Sequence, residues 1–106
     1  MSFDKWSPGE KKIARRAYDA ALQREFAALI NRTKEMAALL ATSADMWDLH
    51  HFLSRQMRDI ERRYDYRYSQ LILVFGCLMR EKWLDEKDLE GLAADKIDAI
   101  RHIATF

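Results

Sequence analysis

The stretch Trp47-Asp48-Leu49-His50-His51-Phe52-Leu53-Ser54 holds two of the three histidines in the chain. Imidazoles there can serve proton transfer, metal ligation or recognition. Proton transfer to a serine nucleophile would need Ser54 or Ser69 on a strand-to-helix elbow, and both stand in segments that read as helix. Metal ligation is poorly supported, because adjacent histidines diverge by about 100° on a helix. No further His or Cys follows four residues on to complete a site, and His102 lies far along the chain. Recognition fits better. Trp47 stands three and four residues from His50 and His51, so one helical face carries a large flat ring beside two imidazoles, a composition suited to an interface hot spot. The competing reading packs Trp47 as core against the end of the preceding helix.

A second constellation follows directly. Arg55, Arg58, Arg62, Arg63 and Arg67 interleave with Tyr64, Tyr66 and Tyr68, the composition of a surface that stacks bases and holds phosphates. A helical nucleic-acid-associated regulator using the Arg/Tyr face of residues 55–68 is therefore the alternative function. The spacings of Asp59 to Arg63 and of Glu61 to Arg58 predict self-pairing on the helix instead. Eighteen basic against seventeen acidic residues also leave no global field of the kind polyanion binders carry. Carboxylates are spread along the chain without a glycine-rich loop or a cleft to shift their pKa values. No enzyme activity, catalytic residue, cofactor or metal is expected.

These groups must be positioned by helices. The chain has 106 residues, 49% of them hydrophobic and 33% charged, with three glycines and one proline. That composition describes one soluble helical domain with little loop. Ser7-Pro8-Gly9-Glu10 combines an N-cap, a proline at the first helical position and a returning glutamate. A first long helix is predicted over residues 8–41, after a tail of residues 1–7. Tyr18, Leu22, Phe26, Leu29, Thr33, Met36 and Leu40 line one of its faces, and alanines over much of the rest permit close approach of another backbone. After a short connection, with Ser43 as the cap, a second long helix is predicted over residues 44–82. On it Met46, His50, Leu53, Met57, Ile60, Tyr64, Arg67, Leu71, Val74 and Leu78 share a stripe. Leu71 to Met79 is apolar all round and must be enclosed on every side; Cys77 within it reads as a small buried hydrophobe. A C-terminal helical region over residues 85–104, split or bent at Gly91, forms a head with residues 68–84.

A rod of residues 44–82 would measure roughly 58 Å, more than the roughly 35 Å diameter of a compact chain of this length. Its overhanging seam, with Met46, Leu53 and Ile60 as dimer-interface residues, calls for a second copy. The fold class is therefore all-α: two long antiparallel helices plus a short C-terminal helical region, forming an extended homodimer. The apolar run of residues 71–79 is about half the length of a membrane-spanning helix. The N-terminus lacks the layout of a signal peptide, and the single cysteine suits a reducing compartment. A cytoplasmic location is expected.

The spacing of several motifs resembles the fluorescence recovery protein family. Trp6-Ser7 with Glu10, then Gln23-Arg24-Glu25, is similar to the family's W-S-x-x-E and Q-R-E pattern. Trp47-x-Leu49-His50-x-Phe52-Leu53-Ser54, Ile60, Tyr64-Asp65-x-Arg67-x-Ser69 and Val74-Phe75 follow its central block in register. Leu92-Ala93-Ala94-Asp95-Lys96 matches its L-A-A-D-K. The resemblance implies a non-catalytic helical homodimer that binds the photoactivated orange carotenoid protein, mainly through that protein's C-terminal domain. It would speed return to the resting orange form and so end quenching at the phycobilisome. It also implies partner-binding residues at Trp47, His50, His51, Met57 and Leu73. At His51 and Met57 the family has an Asp and an Arg, so a titratable ring and a thioether replace an acceptor and a fixed cation. At Leu73 it has a Phe.

Overall fold

The computed structural model describes residues 5–106, which form helices and connecting turns without a strand. Helix α1 spans Pro8–Ala38, α2 Ser43–Arg63, α3 Leu71–Arg80 and α4 Ala94–Ala104, with a short 3-10 turn at Glu86–Leu89 between α3 and α4. Residues 1–4 of the predicted tail lie outside the described residues.

Helix α1 begins where its capping chemistry directs. Ser7 Oγ accepts from the Glu10 amide at 3.1 Å, and Glu10 Oε1 accepts from the Ser7 amide at 3.0 Å, satisfying two donors that a bare helix end would leave unpaired. It ends at Ala38, short of the predicted boundary, and the cap of α2 is Thr42 rather than Ser43. The alanines at 14, 17 and 21 are fully buried. Their small side chains let the backbone of α1 approach the head closely, and on this part of the helix they form core.

The uninterrupted helix over residues 44–82 does not form. The chain leaves α2 after Arg63, runs through residues 64–70 and re-enters helix at Leu71. Periodicity continues across this elbow, and no proline or glycine marks it; tertiary contacts break the rod. Tyr64 and Tyr66 turn their rings edge-on to Tyr18 of α1, at centroid distances of 5.3 and 4.8 Å, and Tyr68 lies 5.8 Å from Trp6. A straight helix would point these rings along the rod and leave the apolar run of α3 exposed around most of its circumference. Bending lets α3 lie against α4, with Phe75, Leu71, Leu78, Leu89 and Ile100 fully buried between them and α1. At roughly 2 kcal/mol for each large apolar side chain removed from water, this burial outweighs the few backbone bonds lost at the bend.

Gly76 permits the closest point of that packing, because a β-carbon there would overlap the side chain of Ile103. At the other end of α3 the chain reverses through Lys82 at φ 68°. The amide of Trp83 donates to the Leu78 carbonyl at 2.9 Å and that of Lys82 to the Met79 carbonyl at 3.1 Å, the double-bonded helix stop usually built on glycine. Gly91 at φ 101° separates the 3-10 turn from α4, the split foreseen from its position.

The molecule is long, 54 × 24 × 20 Å with a radius of gyration of 16.7 Å, against about 13 Å for a compact chain of this size. A head built from α3, the 3-10 turn, α4 and the first half of α1 sits at one end. The hairpin of α1 and α2 projects from it.

Candidate protein-binding surface

At the tip of the hairpin, Asp45 fixes the start of α2. Its Oδ2 accepts from the amides of Ala41 and Thr42, each at 3.0 Å, while Thr42 Oγ1 accepts from the Asp45 amide at 3.2 Å. The two backbone donors hold the Asp45 carboxyl below the ordinary carboxylate range. With the first turn pinned, the next residues have fixed directions. Met46 is 57% exposed and Trp47 64% exposed, so Trp47 is not core.

The Trp47 ring lies 5.8 Å from His50, edge to face, and 6.2 Å from His51, while the two imidazoles are 5.6 Å apart. The structure therefore gathers all three rings into one exposed cluster. No group of metal-ligating side chains forms among the described residues. Met57 is exposed farther along α2 and edges an open apolar groove of roughly 320 Å³ with Phe26, Leu29, Ile30 and Leu53.

Leu73 was expected to be enclosed within its apolar run, yet it is 52% exposed. Helix α3 buries its other sides against α1 and α4 and leaves this one outward. It belongs to the head, separated from Trp47 by roughly 24 Å of α2. Ile60 is only 4% exposed because the chain's own packing takes it up. Of the three expected seam residues, Met46 and Leu53 keep surface to offer.

The Arg/Tyr face of residues 55–68 is not one surface. Its tyrosines leave the helix at the elbow and face α1, Arg67 lies in the elbow paired with Asp65, and the other arginines stay on α2. The expected pairs of Asp59 with Arg63 and of Glu61 with Arg58 do not form. Arg63 instead forks onto Glu25 of α1 and also reaches Glu81 at 2.8 Å, and the Tyr64 hydroxyl donates to Glu25 at 3.0 Å. Glu25 is buried, and its negative charge needs both donors. Burial, then the Glu25 charge, pushes the Tyr64 hydroxyl well above its ordinary pKa.

A second buried pair fastens the head. Lys96 Nζ donates to Glu10 Oε1 at 2.8 Å and to the Lys5 carbonyl at 2.6 Å, and lies 4.5 Å from the Trp6 ring. Glu10 Oε2 also accepts from the Ala93 amide at 3.0 Å. The Lys96 hydrogen bond, aided by those amides, lowers the Glu10 pKa to about 2. Arg24 joins α1 to the 3-10 turn through Asp88, at 2.7 and 3.1 Å, and the Trp83 carbonyl. Sequence reasoning saw Glu10 as part of a helix cap, and Trp6, Arg24, Glu25 and Lys96 only as motif positions. Their pairing across the fold had no local signal, because the partners lie tens of residues apart.

The buried and half-buried ion pairs thus hold helices together, and the large rings left outside form a surface at a hairpin tip. Fold and surface define an elongated helical protein built to present side chains. Residues 6–104 match the family described as photoprotection regulator fluorescence recovery protein, and the chain belongs to that family. It is 35% identical over 99 residues to the fluorescence recovery protein of Synechocystis sp. (strain ATCC 27184 / PCC 6803 / Kazusa), covering 93% of this chain and 91% of the relative. The structure of the Fremyella diplosiphon fluorescence recovery protein superposes with a TM-score of 0.92 at 36% identity, over 96% of this chain and all of the other. That of the Synechocystis sp. PCC 6803 protein gives 0.92 at 34% identity with the same coverage. No helix among the described residues is long and apolar enough to cross a membrane.

Proposed function

We propose that this chain is a non-catalytic, cytoplasmic protein-binding regulator that accelerates the return of photoactivated orange carotenoid protein, or of a related client, to its resting form. The observation that carries this reading is Trp47: in a chain of this family, a large ring 64% exposed beside two imidazoles has no role in the chain's own packing. Acceleration of that kind needs no bond chemistry. A partner that binds the compact arrangement of two client domains better than the separated one lowers the barrier between them. His50 and His51 flank the anchor, Met57 contributes from about 15 Å farther along α2, and Leu73 supplies an apolar contact from the head.

The working unit we infer is a homodimer. Met46, Leu53 and the apolar groove beside Met57 form the seam on which the second copy lies, which removes exposed apolar surface from water. Met46→Glu and Leu53→Glu each place an unpaired charge in that seam. Both are expected to shift light-scattering mass toward the monomer; a mass unchanged in both would rule the seam out.

The client is tested by mixing the protein with photoconverted orange carotenoid protein and timing the red-to-orange relaxation in the dark. Faster relaxation, lost in Trp47→Ala at unchanged helix content, is expected. No acceleration at saturating protein would reject the carotenoid client.

A further inference from the structure

The outward face of α2 carries a row that neither packing nor pairing explains. At about 100° per residue, Trp47, His51, Arg55, Arg58 and Arg62 fall within an arc of about 80° and span roughly 22 Å of helix. All five are exposed. On the opposite side Leu49, Phe52, Leu53, Gln56, Ile60 and Arg63 are partly or fully buried.

Most arginines of this chain have an acceptor. Arg15 holds Asp19, Arg24 holds Asp88, Arg32 holds Glu35, Arg63 holds Glu25, Arg67 holds Asp65, and Arg101 holds Glu86 and Asp98, while Arg80 donates to the Ile103 carbonyl. Among the described residues, those with no bonded acceptor are Arg16 and the three of this row. Asp48, Asp59 and Glu61 stand on the same helix without pairing to them. The helix dipole accounts for a cation in the last turn, where Arg62 stands, but it falls off before Arg55 and Arg58. Like charges three and four residues apart repel, so the row does not help the helix.

We infer that this row docks an acidic face of the partner protein, extending the Trp47 anchor into a line of three guanidinium forks. This rests on the reading of Trp47 as a partner contact. Arginine suits the role because its planar fork takes a carboxylate through two bonds. The row fits carboxylates about 5 Å and 10 Å apart along a line, the rises from Arg55 to Arg58 and from Arg55 to Arg62. A protein face can place discrete carboxylates between Asp48, Asp59 and Glu61. A nucleic-acid backbone, with a phosphate charge every ~1.7 Å of duplex axis, would meet those three acids.

The test uses the full chain and Arg55→Glu/Arg58→Glu/Arg62→Glu, with Trp47→Ala alongside. Association with photoconverted orange carotenoid protein is followed by stopped flow at several salt concentrations. The triple variant is expected to associate at least tenfold more slowly at low salt, with a flattened salt dependence and at most a threefold change in dissociation rate. Its melting temperature should match wild type. Wild-type rates and salt dependence in the triple variant would overturn the row while leaving the Trp47 reading intact.

If wild type does not bind that client, the row is read separately by titrating a glutamate-rich peptide and a 16-base-pair duplex into the protein and following the arginine side-chain NMR signals. Salt-sensitive shifts at Arg55, Arg58 and Arg62 with the peptide support the proposal. No shift there, or tighter binding of the duplex, overturns it.

Discussion

Replacing Glu10 by glutamine is expected to cost about 3 kcal/mol of stability at pH 7 and almost nothing near pH 2. The carboxyl sits beneath the head, where Lys96 Nζ donates to it at 2.8 Å and the amides of Ser7 and Ala93 donate at 3.0 Å each. Those donors bring its pKa from 4.5 to about 2, and each pH unit of that interval is worth about 1.4 kcal/mol, which gives about 3 kcal/mol. Breaking a buried pair by removing one charge costs about the same, since Lys96 would keep its cation with only neutral acceptors beside it. Because folding depresses this carboxyl, its contribution is complete above pH 4.5 and fades as pH falls through about 2. Glutamine preserves the shape and, like the protonated carboxyl, turns one of the two accepting oxygens into a donor, so the variant stands in for the neutral acid. Urea unfolding of both proteins at pH 7, 5, 4 and 3 should show a gap that is constant at the upper two values and narrows at the lower two. A gap under about 1 kcal/mol at pH 7, or one that ignores acid, would refute the pairing as the source of that stability.

Three further changes test the frame around the surface. Arg63→Met leaves Glu25 buried with only the Tyr64 hydroxyl, and should cost about 3 kcal/mol or more in chemical denaturation. Gly76→Ala forces Ile103 aside where α3 meets α4, and a loss of about 1–3 kcal/mol is expected, read as a lower thermal midpoint. Lys82→Gly should stabilise by about 1 kcal/mol, because φ 68° strains any residue with a β-carbon; an unchanged urea midpoint would count against that strain.

Much of the fold was legible because its signals are local. The capping box at Ser7 and Glu10, the 3.6-residue stripes of α1 and α2 and the break at Gly91 are read from neighbours within a turn. The elbow was not. Residues 64–70 keep helical periodicity, and the stripe through Tyr64, Arg67 and Leu71 describes a helix equally well. The candidate surface was legible in part. Trp47, His50 and His51 could be grouped by spacing, but their exposure, and that of Leu73, depends on what the remaining chain fails to cover. Ile60 shows the reverse, since its place on the stripe did not show that the chain's own packing already buries it.

The amino-acid order by itself determined that this chain is helical, where its first helix starts, and which family its motifs resemble. Only the tertiary structure decided where the second rod bends, because the bend is set by rings and charges meeting from distant positions: Tyr18 with Tyr64 and Tyr66, Glu25 with Arg63, Glu10 with Lys96. Local propensity distinguishes conformations by tenths of a kcal/mol per residue, whereas enclosing an apolar helix and pairing buried charges is worth several. The larger energies bent the rod, closed the head and left Trp47 outside.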